Sequence, residues 1–480
     1  MTPSSHPLLI GGEWLDSPRQ LANINPSDTR DCIGHYAEAD EALCQRAIAA
    51  AHAAAPAWAL STPQQRADVL DRIGSEILSR KDELGELLSR EEGKTWPEGI
   101  GEVARAGAIF KFFAQEALRQ CGDRLASVRP GVEIDITREP VGVVGLITPW
   151  NFPAAIPAWK IAPALAFGNA VLFKPAELVP GSAWALAEII SRSGLPAGVF
   201  NLVTGPGSVV GQTLLDDPRV DAISFTGSVA TGRRVAAAAV GRGARYQIEM
   251  GGKNPCVVMD DADLAQAVQV VVQAAFYSTG QRCTASSRII VHKAVFARFE
   301  AALAEATRAL RIGDALDPAT QIGPVVDEAQ LATDLRYIDI ARAEGARLVC
   351  GGERLQLDKP GHYLQPALFS DCDNGMQHCR EEIFGPVASL IPANSYEHAL
   401  ALANDTPFGL AAGICTQSLK YASHFKRHAQ AGMVMVNLPT AGVDYHVPFG
   451  GRKASSQGPR EQGRYAAEFY TTVKTCYQQP

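Results

Sequence analysis

Hydrophobic and polar residues change their spacing several times along this chain, and each change marks a different kind of structure. Residues 8–36 pass from the apolar LLIGGEW into the turn-rich NPSDTR and read as strands and loops. From Ala39 to Arg119 the spacing is helical, Ala-rich and charged, with breaks expected at Pro56, Pro63 and Pro97. Pro63 suits the first turn of a helix, with Ser61 or Thr62 as its cap. Over 127–146 the period falls to two. Val132, Ile134 and Ile136 alternate as in a strand, and Pro140-Val141-Gly142 turns the chain into another.

Beyond that point, short apolar runs alternate with helical stretches. The first series is VVGLIT, a helix over 153–166, AVLFKP, a helix over 181–193, VFNLVTG, a helix from Ser208, AISFTG, a helix from Val229, and YQIEM. A second series begins near Asn254 with PCVVMD, a helix over 262–277, RIIVH and a helix over 295–310. It continues through ARLVCGG, PVASLIP and the helix before AAGICT. Alternation of this kind predicts an α/β fold with parallel sheets. From Asp444 the chain is loop-rich and ends on the strand-like TTVKTCY. A last strand reaching out from the body is a common means of subunit pairing.

Composition narrows the function. A chain of 480 residues exceeds one ordinary core, so two or three domains are expected. The net charge of −7, from 44 basic and 51 acidic residues with no basic run, disfavours nucleic acid as a partner. An anionic substrate would therefore be held by a local cationic pocket rather than steered by the whole surface. The N-terminus has neither a basic start nor a long apolar region, so no signal peptide is expected. The most apolar stretch, 161–173, is interrupted by Pro163, Gly168 and Asn169, and no membrane association is expected. Ten cysteines without a CxxC pair fit a reducing cytoplasm. Cys372, His378 and Cys379 come close together, but without a second ligand pair no metal is expected.

Two stretches carry candidate covalent chemistry. FYSTGQRCTASSRII sets Cys283 after a Thr279-Gly280 break and beside Arg282. Nearby cations or helix amides lower a thiol's pKa, whereas a buried cysteine is inert. YQIEMGGKNP ends a strand on Glu249 at a Gly-Gly turn. A cysteine with a separately placed carboxylate is the minimum set for covalent catalysis followed by hydrolysis. Four further features are each open to two readings. Gly207 and Gly211 open a helix after VFNLVTG and let amides approach a phosphate, yet their spacing is not the GxGxxG fingerprint. Phe225-Thr226-Gly227-Ser228 either holds pyrophosphate or simply caps a helix. Lys174 and Glu177 close a strand as ligands for a ribose or as a surface ion pair. Asn151 in TPWNFP either donates to an oxyanion or stabilises a turn.

Taken in order, TPWNFP at 148–153, KPAE at 174–177, FTGS at 225–228, EMGGKNP at 249–255, GQRC at 280–283 and EEIFGP at 381–386 resemble the aldehyde dehydrogenase superfamily over essentially the full length. The resemblance implies Cys283 as nucleophile, Glu249 as general base and Asn151 as oxyanion donor. It implies NAD as cofactor, with NADP less favoured because Glu177 would meet a 2′-phosphate. Lys174 and Glu177 would hold the adenosine ribose, Ser228 the pyrophosphate, and Glu382 with Phe384 the nicotinamide riboside. Thr148, Trp150, Gly207, Gly211, Phe225, Gly227 and Met250 complete the cofactor set. The implied organisation is two Rossmann-like parallel-sheet domains and a small β oligomerisation element: a NAD-binding domain over 1–126 and 147–250, a catalytic domain over 251–450, and an oligomerisation element over 127–146 and 451–480. A homodimer or homotetramer is expected.

The tail from Val443 resembles the subgroup acting on 2-oxoglutarate semialdehyde (2,5-dioxopentanoate). Arg282 beside the nucleophile suits an anionic aldehyde, since a guanidinium grips a carboxylate bidentately. Phe152, Trp159 and His446, with Tyr445, are the other candidate substrate contacts. The runners-up are succinate semialdehyde dehydrogenase, in which an Arg typically stands where this chain has Trp159, and a broader-specificity aldehyde dehydrogenase. A catalytically silent relative and a cofactor-free thiol hydrolase are the alternatives from other classes.

Overall fold

The computed structural model describes residues 4–480. The expected helical region resolves into four helices. Thr62 caps Pro63–Ser79 through a capping box with Gln65, and Pro97 lies in the first turn of Trp96–Leu118. Pro56 does not end Glu41–Ala59, because it sits in the helix's last turns, where little remains to be disrupted. An additional break falls at Gly93, whose φ of +94° closes Lys81–Glu92 in the left-handed region.

Both strand–helix series form mostly parallel sheets. The first sheet orders its strands Ser456–Gln457, Arg245–Glu249, Ala222–Thr226, Val143–Ile147, Ala170–Lys174, Phe200–Leu202, Leu8–Ile10 and Glu13–Leu15. The five central ones are parallel, and the chain adds strands first on one side of Val143–Ile147, then on the other. The gap between Val143–Ile147 and Ala222–Thr226 is therefore a topological switch point, where open α/β sheets bind ligands beyond the strands' carboxyl ends. The second sheet runs Arg347–Cys350, Ala367–Ser370, Val387–Ala393, Ser286–His292, Asn254–Val258, Ala411–Cys415 and Met433–Val436, with only the first strand antiparallel. Strands such as Ala170–Lys174, Ala222–Thr226 and Asn254–Val258 are buried at every position, which explains their largely apolar sequences.

The third sheet differs from expectation. Thr471–Gln478, Glu133–Pro140 and Asp123–Ala126 form a three-stranded antiparallel ribbon, so this element covers 123–140 and only the last ten residues. Val143–Ile147 belongs instead to the centre of the first sheet. Residues 451–470 return to the body: Ser456–Gln457 pairs with Arg245–Glu249, while Ala466, Phe469 and Tyr470 are buried in the core beneath the first sheet. No helix among the described residues is long and apolar enough to cross a membrane.

Candidate active site

The cysteine turn lies between the helix Leu264–Phe276 and the strand Ser286–His292, and its backbone is unusual. Ser278, Thr279 and Gly280 are all left-handed, with φ of 51°, 55° and 67°. For a non-glycine residue that conformation costs about 1–2 kcal/mol. Glu98, on the helix Trp96–Leu118, offsets the cost. Its Oε1 accepts hydrogen bonds from the Ser278 amide (3.0 Å), the Ser278 hydroxyl (2.9 Å) and Arg282 Nη2 (2.8 Å). Its Oε2 accepts from the Thr95 hydroxyl at 2.8 Å. Gly280 must be glycine, since a Cβ there would lie 2.3 Å from the Gly385 carbonyl. Beyond the nucleophile, Asn254 donates to the carbonyls of Cys283 (2.8 Å) and Ala285 (2.9 Å).

Asn151 is buried and directs its Nδ2 to the Gln281 carbonyl at 2.9 Å, which brings the TPWNFP turn against the cysteine turn. Glu102, one helical turn beyond Glu98, holds this second turn in place. It accepts from the amides of Ala154 (2.9 Å) and Ala155 (3.0 Å) and from Lys94 Nζ (2.6 Å). Lys94 in turn donates to the Asn151 carbonyl at 2.7 Å. Neither Glu98 nor Glu102 stood out in the sequence. The Thr95-x-x-Glu98 capping box was the one available signal.

Glu249 ends its strand at the other side of the site. Ser456 donates to its Oε2, and its buried Oε1 has no partner. Burial, and then the charge of Glu461, push its carboxyl well above the usual range, as befits a general base. Glu461 accepts from Trp159 Nε1 at 2.6 Å, and from Lys160, in a buried cluster with Ser224. Cys283 forms part of a cavity of about 460 Å³, with Phe152, Trp159 and Phe449 on its apolar side. Burial, then the carboxylates of Glu382 and Glu249, push its thiol up to about 12. Arg282, although adjacent in sequence, is not among the groups that shift the sulfur. The guanidinium is committed to Glu98, and carboxylates dominate the field at sulfur.

Arg282 does line the cavity, but its ion pair with Glu98 occupies the group expected to grip a substrate carboxylate. His446 lies on an exposed part of the tail, away from the cavity wall, to which the tail contributes Val443 and Phe449. Phe152 and Trp159 do face the cavity.

The residues of the cofactor set gather at the carboxyl ends of the first sheet. Thr148 and Trp150 follow Val143–Ile147, Lys174 ends Ala170–Lys174, Phe225 lies in Ala222–Thr226, and Met250 follows Arg245–Glu249. Lys174 Nζ donates to Glu177 Oε1 at 2.7 Å. Ser228 caps the helix Val229–Gly241, and Phe225 lies so close to Gly227 that a Cβ there would be 2.6 Å from its ring. Met250 packs against Gly232 of that same helix. A Cβ at Gly207 or Gly211 would meet nothing, and at the exposed Gly207 the backbone is open to approach, whereas Gly211 is buried. Trp150 stands edge-on to Phe384 at 5.4 Å, and Phe384 holds a left-handed φ of 68°. Glu382 is half-buried and accepts from the Gly252 amide at 2.9 Å, and desolvation pushes its carboxyl up to about 7. Buried hydroxyls without partners at Thr148 and Thr226 add donors at the switch point. An open glycine turn, orphan hydroxyls and a neighbouring carboxylate fit a dinucleotide.

Cys372, His378 and Cys379 also converge, with ligand atoms within 4.8 Å of one another and all three residues buried. Hydrogen bonding within the pair raises the Cys372 thiol and lowers that of Cys379.

The chain as a whole matches a family of oxidoreductases. The aldehyde dehydrogenase family profile matches residues 14–476, and the chain belongs to that family. It is 44% identical over 475 residues to the alpha-ketoglutaric semialdehyde dehydrogenase of Bacillus subtilis, covering 98% of this chain and 97% of the relative. It is 42% identical over 473 residues to the alpha-ketoglutarate semialdehyde dehydrogenase of Haloferax volcanii, covering 98% of each. Betaine aldehyde dehydrogenase from Staphylococcus aureus, solved in complex with NAD+, superposes with a TM-score of 0.97 at 32% identity. That match covers 99% of this chain and 95% of the other.

A thiol held neutral at rest has a measurable signature. Below its pKa the thiolate fraction rises about tenfold per pH unit, so alkylation of Cys283 by iodoacetamide should keep accelerating from about pH 7 to about pH 10. A rate that levels off near neutrality would show that the sulfur is already ionised and that the carboxylates do not dominate its field.

Proposed function

We propose that this chain oxidises 2-oxoglutarate semialdehyde to 2-oxoglutarate with NAD. The observation that carries the choice is the charge of the cavity wall around Cys283. Lys94, Arg105 and Arg282 face two carboxylates, Glu98 and Glu102, which leaves one cation in excess. A trimethylammonium aldehyde would meet that excess charge with repulsion, whereas an anionic one is attracted. The high identity to two semialdehyde dehydrogenases supports the same reading. Succinate semialdehyde, shorter by one carbonyl-bearing carbon, is the second reading.

The Cys283 sulfur, once deprotonated, attacks the aldehyde carbon, and the oxygen of the resulting thiohemiacetal develops negative charge. Asn151 Nδ2, beside its bond to the Gln281 carbonyl, and the Cys283 amide would be the donors that receive it. NAD, when bound, would supply the acceptor for the hydride that leaves as this adduct becomes a thioester. Lys174 and Glu177 would hold the adenosine ribose, Ser228 the pyrophosphate, and Glu382 with Phe384 the nicotinamide riboside. Glu249, with one oxygen fixed by Ser456 and the other unpartnered, takes a proton from water as it attacks the thioester. The products are the free acid and a regenerated thiol.

Assembly through the third sheet belongs to the same reading. Thr471–Gln478 is an eight-residue edge strand, exposed at seven positions, including Val473 and Tyr477. Long unpaired edges are normally covered. We infer a homodimer or homotetramer in which a partner covers this strand.

The test of the reaction is a comparison of kcat/KM for 2-oxoglutarate semialdehyde, succinate semialdehyde, betaine aldehyde and pentanal, with 2-oxoglutarate semialdehyde expected first. A lead for betaine aldehyde or pentanal would reject it. Glu249→Gln should release one burst of NADH per active site and then stall, because hydrolysis lacks its base; turnover at the parent rate would mean that another group activates water. The parent should prefer NAD to NADP, and Glu177→Ser should narrow the gap. A gap left unchanged would remove Glu177 from the choice. Light scattering should give two or four times the 51.1 kDa chain mass, and a monomer at micromolar concentration would contradict the proposed role of the edge strand.

A further inference from the structure

The cations of the cavity wall are not equally available. Lys94 is enclosed by Glu102 and the Asn151 carbonyl, with Phe152 beneath its ammonium at 3.9 Å. Arg282 donates to Glu98 and to the Ser278 hydroxyl. Arg105, on the same helix as Glu98 and Glu102, forms no ion pair among the described residues. Its one hydrogen bond runs from Nη2 to Gln462 Oε1 at 3.0 Å, and its Nε is buried without a partner. Its guanidinium lies 5.7 Å from the Trp159 ring, which is itself stacked on Phe449. Burial lowers its pKa, while Glu102, Asp444 and Cys283 pull it back, yet none of the three bonds to it.

Gln462 is equally unusual. It is fully buried, holds a left-handed φ of 58°, and has no partner for its Nε2. Strained backbone around an unsatisfied side chain is characteristic of binding sites, where a ligand completes what the fold leaves open. Because Gln462 Oε1 points at Arg105, the fold has used its acceptor to orient the arginine.

We propose that Arg105, oriented by Gln462, is the subsite that grips the carboxylate end of the aldehyde substrate. It is the wall cation that no carboxylate pairs with among the described residues, and the planar fork of a guanidinium matches two carboxylate oxygens or a carboxylate oxygen and the adjoining ketone oxygen. The Trp159 and Phe449 rings then line the side of the cavity on which the methylene carbons lie. This subsite takes over the role expected of Arg282, and it rests on the assignment of an anionic aldehyde as the substrate.

The test compares the ratio of kcat/KM for 2-oxoglutarate semialdehyde to that for pentanal, a neutral aldehyde of the same carbon count, in the parent, Arg105→Met and Arg105→Lys. Arg105→Met should lower the ratio by roughly 10- to 150-fold, chiefly through KM, the range expected for a charge-assisted bond. Arg105→Lys should restore part of it. Binding of 2-oxoglutarate to the parent, measured by calorimetry, should weaken in parallel in Arg105→Met. A ratio unchanged in Arg105→Met, or equal losses for both aldehydes, would overturn the subsite while leaving the substrate assignment standing. A parent enzyme without preference for the anion would overturn both.

Discussion

The active site depends on a single face of the helix Trp96–Leu118. Glu98, Glu102 and Arg105 stand at spacings of four and three, which stacks them on one side of the helix. Glu98 holds the left-handed turn that presents Cys283, and Glu102 holds the turn that presents Asn151. The nucleophile and its oxyanion donor come from loops more than 120 residues apart, and their mutual position is set by two carboxylates one helical turn from each other. Each carboxylate also has a cation, Arg282 or Lys94, so neither is buried unpaired. Charge at these positions therefore serves geometry first, and the third member of the face is left without a counter-ion.

The electrostatics at sulfur follow from the same arrangement. With Arg282 neutralised by Glu98, the groups that act most strongly on Cys283 are burial and the carboxylates of Glu382 and Glu249. Glu249 is itself held towards its neutral form by burial and Glu461. Burial thus disfavours the charged form of both groups that must lose a proton during the reaction.

Much of this was legible in the sequence, for local reasons. Parallel strands buried on both faces read as continuous apolar runs, so the two α/β series could be seen, and the chemical motifs sit where those runs end. The boundary of the small sheet was not legible, because an alternating strand such as Glu133–Pro140 and the buried Val143–Ile147 adjoin with only a short turn between them. The ion pair that engages Arg282 was not legible, because its partner, Glu98, lies 184 residues earlier. Arg105 and Gln462 carried no signal at all: one is a charged residue in a helix, the other a polar residue in a loop-rich tail. Their interest arises only from what surrounds them, namely a cavity wall, an orphan donor and a left-handed backbone.

The tail shows why the small sheet and the chemistry cannot be treated as separate domains. Within 30 residues it supplies Phe449 to the cavity, Ser456 to Glu249, Glu461 to Lys160 and Gln462 to Arg105, and then leaves the body as the edge strand Thr471–Gln478. Only the short stretch 463–470 separates Gln462 from that strand, and Phe469 and Tyr470 within it are buried in the core beneath the first sheet. A segment anchored in the core at its middle transmits little motion but fixes position well.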